Sequence, residues 1–222
     1  MKKPSHQPYS FVVLFLKFSI LTTILFYSIS SLAYAPAEGN ITSYFGPYLY
    51  KTNFKGSDSG ATSPVMAGVG LVVNGDVNTK GSLEIAVFLI NKTYYGEDAG
   101  RFLAEQTALA HFTMGYRRWF TDSFSSSLSF SSGYSIGSPR RIHSDFPVGS
   151  EIDTSAKDTA EYGFDLSLLK ELMKQPAYVV VLDVRYSMSV TNKRNENADQ
   201  FGIMLGFRYL VQEKTQASPK KL

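Results

Sequence analysis

The run Arg140-Arg141-Ile142-His143-Ser144-Asp145 sets an imidazole, a hydroxyl and a carboxylate side by side. These are the residue types of a nucleophilic triad, but the spacing argues against one. Triad partners converge from separate segments so that each group reaches the next, whereas neighbours in an extended chain point apart. His111 stands alone in its segment, and a lone histidine there reads as a hydrogen-bonded interior residue. The chain has no cysteine, which excludes disulfides and thiolate metal sites. With no glycine-rich phosphate loop and no metal-ligand cluster either, no catalytic, cofactor-binding or metal residue is assigned. The pair Arg140 and Arg141 has another chemistry, because guanidinium groups match phosphate. It is a candidate contact for the head groups of surface lipid.

A second set of charges has a different setting. Glu84, Asp165 and Asp183 and their counterparts Arg117, Arg185 and Arg208 each lie within a segment that alternates apolar and polar residues. The pattern is clearest from Phe124 to Ile136. Phe124, Leu128, Phe130, Tyr134 and Ile136 fall on even positions, and Ser125, Ser127, Ser129, Ser131, Gly133 and Ser135 on odd ones. Strand side chains alternate between faces, so one face is greasy and the other a row of small polar groups almost without charge. A soluble strand carries charged residues on its solvent face. A serine row suits a narrow wet interior, and an aromatic apolar face suits lipid. The six charges then share that interior, where isolated charge is very costly. They are expected to pair into a plug.

These residues need strands to hold them, and after Ala35 about eight alternating segments follow: Ile41 to Tyr50, Val65 to Val73, Ser82 to Lys92, Gln106 to Phe120, Phe124 to Ile136, Tyr162 to Leu168, Ala177 to Val190 and Gln200 to Leu210. The first is ambiguous in phase, with Tyr44, Tyr48 and Tyr50 on one face and Ile41, Phe45 and Leu49 on the other. Asn74-Gly75-Asp76 and Thr121-Asp122-Ser123 read as turns, and Leu169 to Gln175 as a helical turn. Connections alternate in length. Lys51 to Pro64, Thr93 to Glu105, Gly137 to Glu161 and Thr191 to Asp199 are long, and those between are shorter. Tyr50, Tyr94, Tyr95 and Tyr134 are expected to form one aromatic girdle, and Trp119, Phe120, Phe124, Tyr178 and Tyr209 the other.

The start of the chain is separate from this pattern. Lys2 and Lys3 precede an apolar run from about Phe11 to Leu32, which ends Ala33-Tyr34-Ala35. This predicts a signal peptide over 1–35, cleaved after Ala35, with an uncleaved anchor as the other reading. Lys2, Lys3 and Lys17 account for the whole net charge of +3, since removing them leaves basic residues equal to the 19 acids. No electrostatic case for nucleic acid remains.

The chain from 36 to 222 resembles the small eight-stranded outer-membrane β-barrels of Gram-negative bacteria, the OmpA/OmpX-like class. The resemblance rests on the export signal, the alternating strands and the long and short connections. It rests also on Gln200-Phe201-Gly202-Ile203-Met204-Leu205-Gly206-Phe207, which is similar to the barrel-insertion signal of that class at Gln200, Gly202, Leu205 and Phe207. The chain departs from the class by continuing as a tail over 211–222 with Pro219-Lys220-Lys221. The resemblance implies an all-β, closed, antiparallel transmembrane barrel of up-and-down topology with strands within about 41–210. It implies an outer-membrane location, a periplasmic tail and long extracellular loops. Its partners would be outer-membrane lipids, lipopolysaccharide and the barrel-assembly machinery, with a monomeric state and no cofactor. The role implied is structural or surface-interactive, with a plugged lumen. The alternatives are a narrow channel for small or apolar solutes and a lipid A-modifying enzyme. A soluble lipocalin-type barrel would instead turn the apolar face inward.

Overall fold

In the computed structural model, residues 36–52, 64–175 and 177–212 are described, the last three by backbone only. The signal segment 1–35, most of the connection from Lys51 to Pro64 and the tail from 213 lie outside them. The strands are β1 (Ile41–Thr52), β2 (Met66–Asn78), β3 (Gly81–Asp98), β4 (Arg101–Thr121), β5 (Phe124–Ser135), β6 (Arg140–Ser144), β7 (Ala160–Lys174), β8 (Val179–Ser189), β9 (Glu196–Asn197) and β10 (Gln200–Gln212). Eight of them form an antiparallel ring, β1-β2-β3-β4-β5-β7-β8-β10, which closes where β10 pairs with β1. The short β6 and β9 add to the ends of β4 and β3 beyond the ring. Closure pairs every long strand on both sides and removes the sheet's open edges.

The alternation decides which face points out. Leu128 and Phe130 are 63% and 50% exposed, while Ser127 and Ser129 between and beside them are 1% and 2% exposed. The same holds around the ring. Phe45, Leu49, Val69, Leu71, Leu83, Ile85, Phe112, Met114, Phe164, Leu166, Ile203 and Leu205 all face outward. A soluble barrel of lipocalin type is thereby excluded, since its greasy face would be the buried one. The phase of β1 is resolved as well: Tyr44, Tyr48 and Tyr50 point into the lumen, and Phe45 and Leu49 point out.

Several connections are more regular than expected. Thr93 to Glu105, expected as a loop, continues the β3–β4 ladder up to Asp98 opposite Arg101. The turn beyond is made by Ala99 and Gly100, both at positive φ. Asn74-Gly75-Asp76 is not a turn, because β2 runs through it to Asn78. Leu169 to Gln175, expected as a helical turn, continues β7 to Lys174 with a bulge between Glu171 and Met173. Pairing partners on β5 and β8 satisfy its backbone, and that outweighs the helical propensity of Leu-Lys-Glu-Leu-Met-Lys.

Gly202 shows how the wall makes room for what it holds. A β-carbon there would lie 2.2 Å from the ring of Tyr48. Gly70 stands in the same relation to Phe88, at 2.5 Å. These two inward glycines are therefore recesses into which lumen aromatics fit.

Candidate functional site

The lumen is filled by three layers of paired polar groups. The central layer is built on Glu84 of β3, Arg117 of β4, and Asp183 and Arg185 of β8, all with side chains at most 1% exposed. Glu84 forms an ion pair with Arg117, whose Nε donates to Oε2 at 2.7 Å. Across the barrel, Arg185 Nη2 donates to Glu84 Oε1 at 3.0 Å, and its Nε to Asp183 Oδ2 at 2.9 Å. The phenol of Tyr44 also donates to Asp183 Oδ2 at 2.9 Å. The serine row completes the layer, with Ser125 and Ser167 each accepting from Arg117 at 2.8 Å. Ser127 donates to Glu84 at 3.0 Å. Arg185 stacks over Phe88, 4.9 Å from the ring centre.

Towards the rim that carries β6 and β9, His111 Nε2 lies 3.0 Å from Asp165 Oδ2. Above it Lys92 Nζ donates to Glu161 at 2.8 Å, and the Tyr94 phenol donates to the same carboxylate at 2.8 Å. A cavity of about 10 Å³ lies beside Lys92, His111, Glu161 and Ser189, room for about one water. Towards the rim that carries both ends of the ring, Arg208 pairs with Glu171 and stacks over Trp119 at 5.6 Å. The Trp119 indole donates to Ser82 at 3.0 Å, and Ser82 donates to Asp76 at 2.6 Å.

The six charges expected in the lumen therefore separate. Glu84, Arg117, Asp183 and Arg185 meet in one cluster, whereas Asp165 pairs with His111 and Arg208 with Glu171. Lys92, Glu161 and Glu171 were not anticipated. Each keeps the inward phase of its strand, Lys92 with Glu84 on even positions of β3, and Glu161 and Glu171 with Asp165 on odd positions of β7. Lys92 already stands at the end of the segment Ser82 to Lys92, and carrying the β7 alternation a few residues either way would have found Glu161 and Glu171. In the insertion signal, Gln200 is buried and donates to Tyr48 at 3.1 Å. Gly202 lies under the Tyr48 ring, and Leu205 and Phe207 face out.

The girdles need correction. Tyr134, Phe120 and Tyr209 are exposed on the outer face, but Tyr50, Tyr94, Tyr95 and Trp119 are buried. Tyr50, Tyr94 and Trp119 have the inward phase of their strands, and each spends its polar atom on an interior partner. For Tyr50 that partner is the Asn91 amide, which donates to the phenol oxygen at 2.6 Å.

Residues 137–160 do not hang free. The short helix Ser155–Lys157 and the residues before it pack on the inward side of the β3–β4 hairpin. There Thr154 donates to Glu105 at 2.5 Å, and Ile152 fills the space over Gly96. The Ser155 amide donates to Glu196 at 2.8 Å. Lys193 reaches Asp153 and, at 3.1 Å, Asp158. The hydrogen bond from Lys193 holds the Asp153 carboxyl below its ordinary range. The longest connection thus roofs part of the lumen mouth. On its outer part Arg141 pairs with Glu151 at 2.9 Å, and Arg140 donates to Gln106 at 3.4 Å. His143 contacts Asp145 at 2.9 Å, while the Ser144 hydroxyl accepts from the Phe146 amide at 3.2 Å. That hydroxyl shapes a turn, and the three side chains do not line up as a relay.

No protein-family model matches the chain, and no curated protein does. Among solved structures, it is similar to Ail, the attachment invasion locus protein of Yersinia pestis, in complex with the heparin analogue sucrose octasulfate. The identity is 12%, over 78% of this chain and 99% of that one, with a TM-score of 0.47. It is similar to the outer membrane protein OprG from Pseudomonas aeruginosa at 12% identity, over 79% of this chain and 97% of that one, with a TM-score of 0.47. For the outer membrane protein AlkL in lipid bilayers the identity is 12%, over 86% of this chain and 98% of that one, with a TM-score of 0.39.

Proposed function

We propose that the chain is an integral outer-membrane barrel with a plugged lumen, acting as a structural and surface-contact protein rather than a conduit. The membrane placement is supported by the apolar outer face, which runs around all eight ring strands. Soluble monomers do not expose greasy surface on that scale, whereas a closed barrel in lipid requires it. In this reading 1–35 is a cleaved export signal. The rim with both ends of the ring is periplasmic, and residues 137–160 and 191–199 face outside. The monomer is inserted by the barrel-assembly machinery, which reads the strand holding Gln200, Gly202, Leu205 and Phe207.

The observation that carries the closed state is the Arg117–Glu84–Arg185 bridge, which spans the lumen at full burial. An eight-stranded ring leaves an interior just wide enough for side chains to fill, and here guanidinium groups and phenols occupy it. Planar-bilayer recording tests the plug. The expected trace is flat, and a large steady conductance from the unaltered protein would refute it. The contact role assigns Arg140 and Arg141 to phosphate on lipopolysaccharide. Arg140→Gln with Arg141→Gln is expected to lower lipopolysaccharide retained through purification, with the barrel still folded. Retention equal to the parent would remove that assignment.

A further inference from the structure

At the rim that carries both ends of the ring, the buried carboxylates and two of the cations turn to opposite faces of the wall. The carboxylates of Asp76 and Glu171 turn inward and are bound there, to Ser82 and to Arg208. Arg118 of β4 and Lys170 of β7 have the opposite phase and turn outward. They flank β5, on whose outer face Ser126 pairs in register with Arg118, and Phe124 with Lys170. Ser126 is a small residue flanked by Arg118 on β4 and Leu168 on β7, so the outer surface is notched beside Arg118. Lys170 lies two residues nearer the rim, level with Phe124, its ammonium donating to the Ser123 hydroxyl at 2.8 Å. Lys80 is exposed next to them, its carbonyl accepting from the Trp119 amide at 2.9 Å. The exposed carboxylates nearby, Glu38 and Asp122, sit in turns beyond the strand ends.

The notch lies where the greasy face ends. Tyr116 and Phe120 border Arg118 along β4, and Phe120 packs on Phe124 at 5.7 Å. Cations at such a level lay their carbon stems on apolar surface and lift their heads to the head-group layer. Strands are about 4.8 Å apart and Lys170 is offset by two residues along β5, so Arg118 and Lys170 start roughly 12 Å apart. Both side chains can reach one phosphate placed on the rim side of Ser126, the Lys170 ammonium exchanging its Ser123 partner for it. A guanidinium offers two parallel donors to phosphate, an ammonium a point charge, and the serine hydroxyl a third donor. We infer that Arg118, Ser126 and Lys170 form a site for the phosphate of an anionic phospholipid in the leaflet at this rim. This rests on the membrane reading above and concerns the rim opposite to Arg140 and Arg141.

The test uses the full barrel refolded into phosphatidylcholine vesicles, with chain-spin-labelled phosphatidylglycerol or phosphatidylcholine as the probe. Electron spin resonance reads the fraction of each lipid immobilised at the protein. The expected preference for phosphatidylglycerol is about threefold or more. It is expected to fall close to one in Arg118→Gln with Lys170→Gln, and to persist in Arg101→Gln at the opposite rim. Equal immobilisation of the two lipids by the parent, or an unchanged preference in the double variant, would overturn the site. Replacing chloride by inorganic phosphate at constant ionic strength is expected to leave the preference intact. Its selective loss would mean that free phosphate is the occupant, and the lipid assignment would fall. Heat-modifiable gel migration separates the two levels of failure, because a chain that never enters the vesicles overturns the barrel itself.

Discussion

At the scale of single residues, Glu84 decides the most, since it is the acid between two buried guanidinium groups. Glu84→Leu would leave Arg117 and Arg185 with Asp183 as their one remaining counter-charge in the cluster. Removing one partner of a buried ion network costs about 3–5 kcal/mol. The unfolding midpoint in urea with lipid vesicles should fall accordingly. Glu84→Leu with Arg117→Met should recover part of the loss, because fewer charges are then left unpaired. Gly202 makes a second case, of shape. Gly202→Ala drives a methyl group into the Tyr48 ring and should destabilise the barrel by about 1–3 kcal/mol. Tyr48→Leu in the same chain should restore much of it, which the same unfolding curves would show. Both roles were only half legible beforehand. The inward phase of Glu84 follows from alternation, but its choice of partners does not. A strand pattern fixes the face of a side chain and says nothing of how far round the ring it reaches. That is why six charges expected as one plug separate into a central cluster and two outer pairs. It is also why His111, known to point inward, was not matched with Asp165.

At the scale of elements, the sequence displayed strands well and connections poorly. All eight ring strands lie where alternation places them, since a half-buried strand writes its period into its residue types. Beyond the apolar belt that period fades. In β3, Lys92, Thr93, Tyr94, Tyr95 and Gly96 are buried in succession, because neighbouring connections cover the hairpin there. A segment covered on both faces gives no alternating signal, so the β3–β4 extension read as a loop, and Tyr94 and Tyr95 as girdle residues. The clamp between the longest connection and residues 191–199 left no sequence trace either, being made by side chains 40 positions apart. Lys193→Met should loosen it. Amide exchange across Asp153 to Asp158 should rise several-fold while the ring strands keep their protection. The same clamp should weaken with acid. Asp153 is held below its ordinary range, so its contribution is full above about pH 4, the unperturbed carboxyl value, and is lost as pH falls through the lower folded one. Exchange in this segment, corrected for its intrinsic rate, should therefore be flat from pH 7 to 5 and accelerate only in stronger acid.

At the scale of the whole molecule, two surfaces have exchanged the places they hold in a soluble protein, and a paired substitution measures this directly. Leu128→Lys puts a cation on the greasy face and should cost about 2–4 kcal/mol near the middle of a bilayer. Lys for Leu172, close to the rim, should cost far less. Similar penalties at the two depths would contradict the placement in lipid. The wall also has a property that follows from its seam. Ile41 faces Gln212 across the junction of β1 and β10, so the first and last residues of the described ring are neighbours. Nothing in the order of pairings marks a beginning. A gene reshuffled to start at Gly100 and to join the old ends through a short linker would trace the same circle from another point, its new break falling in the Ala99-Gly100 bend.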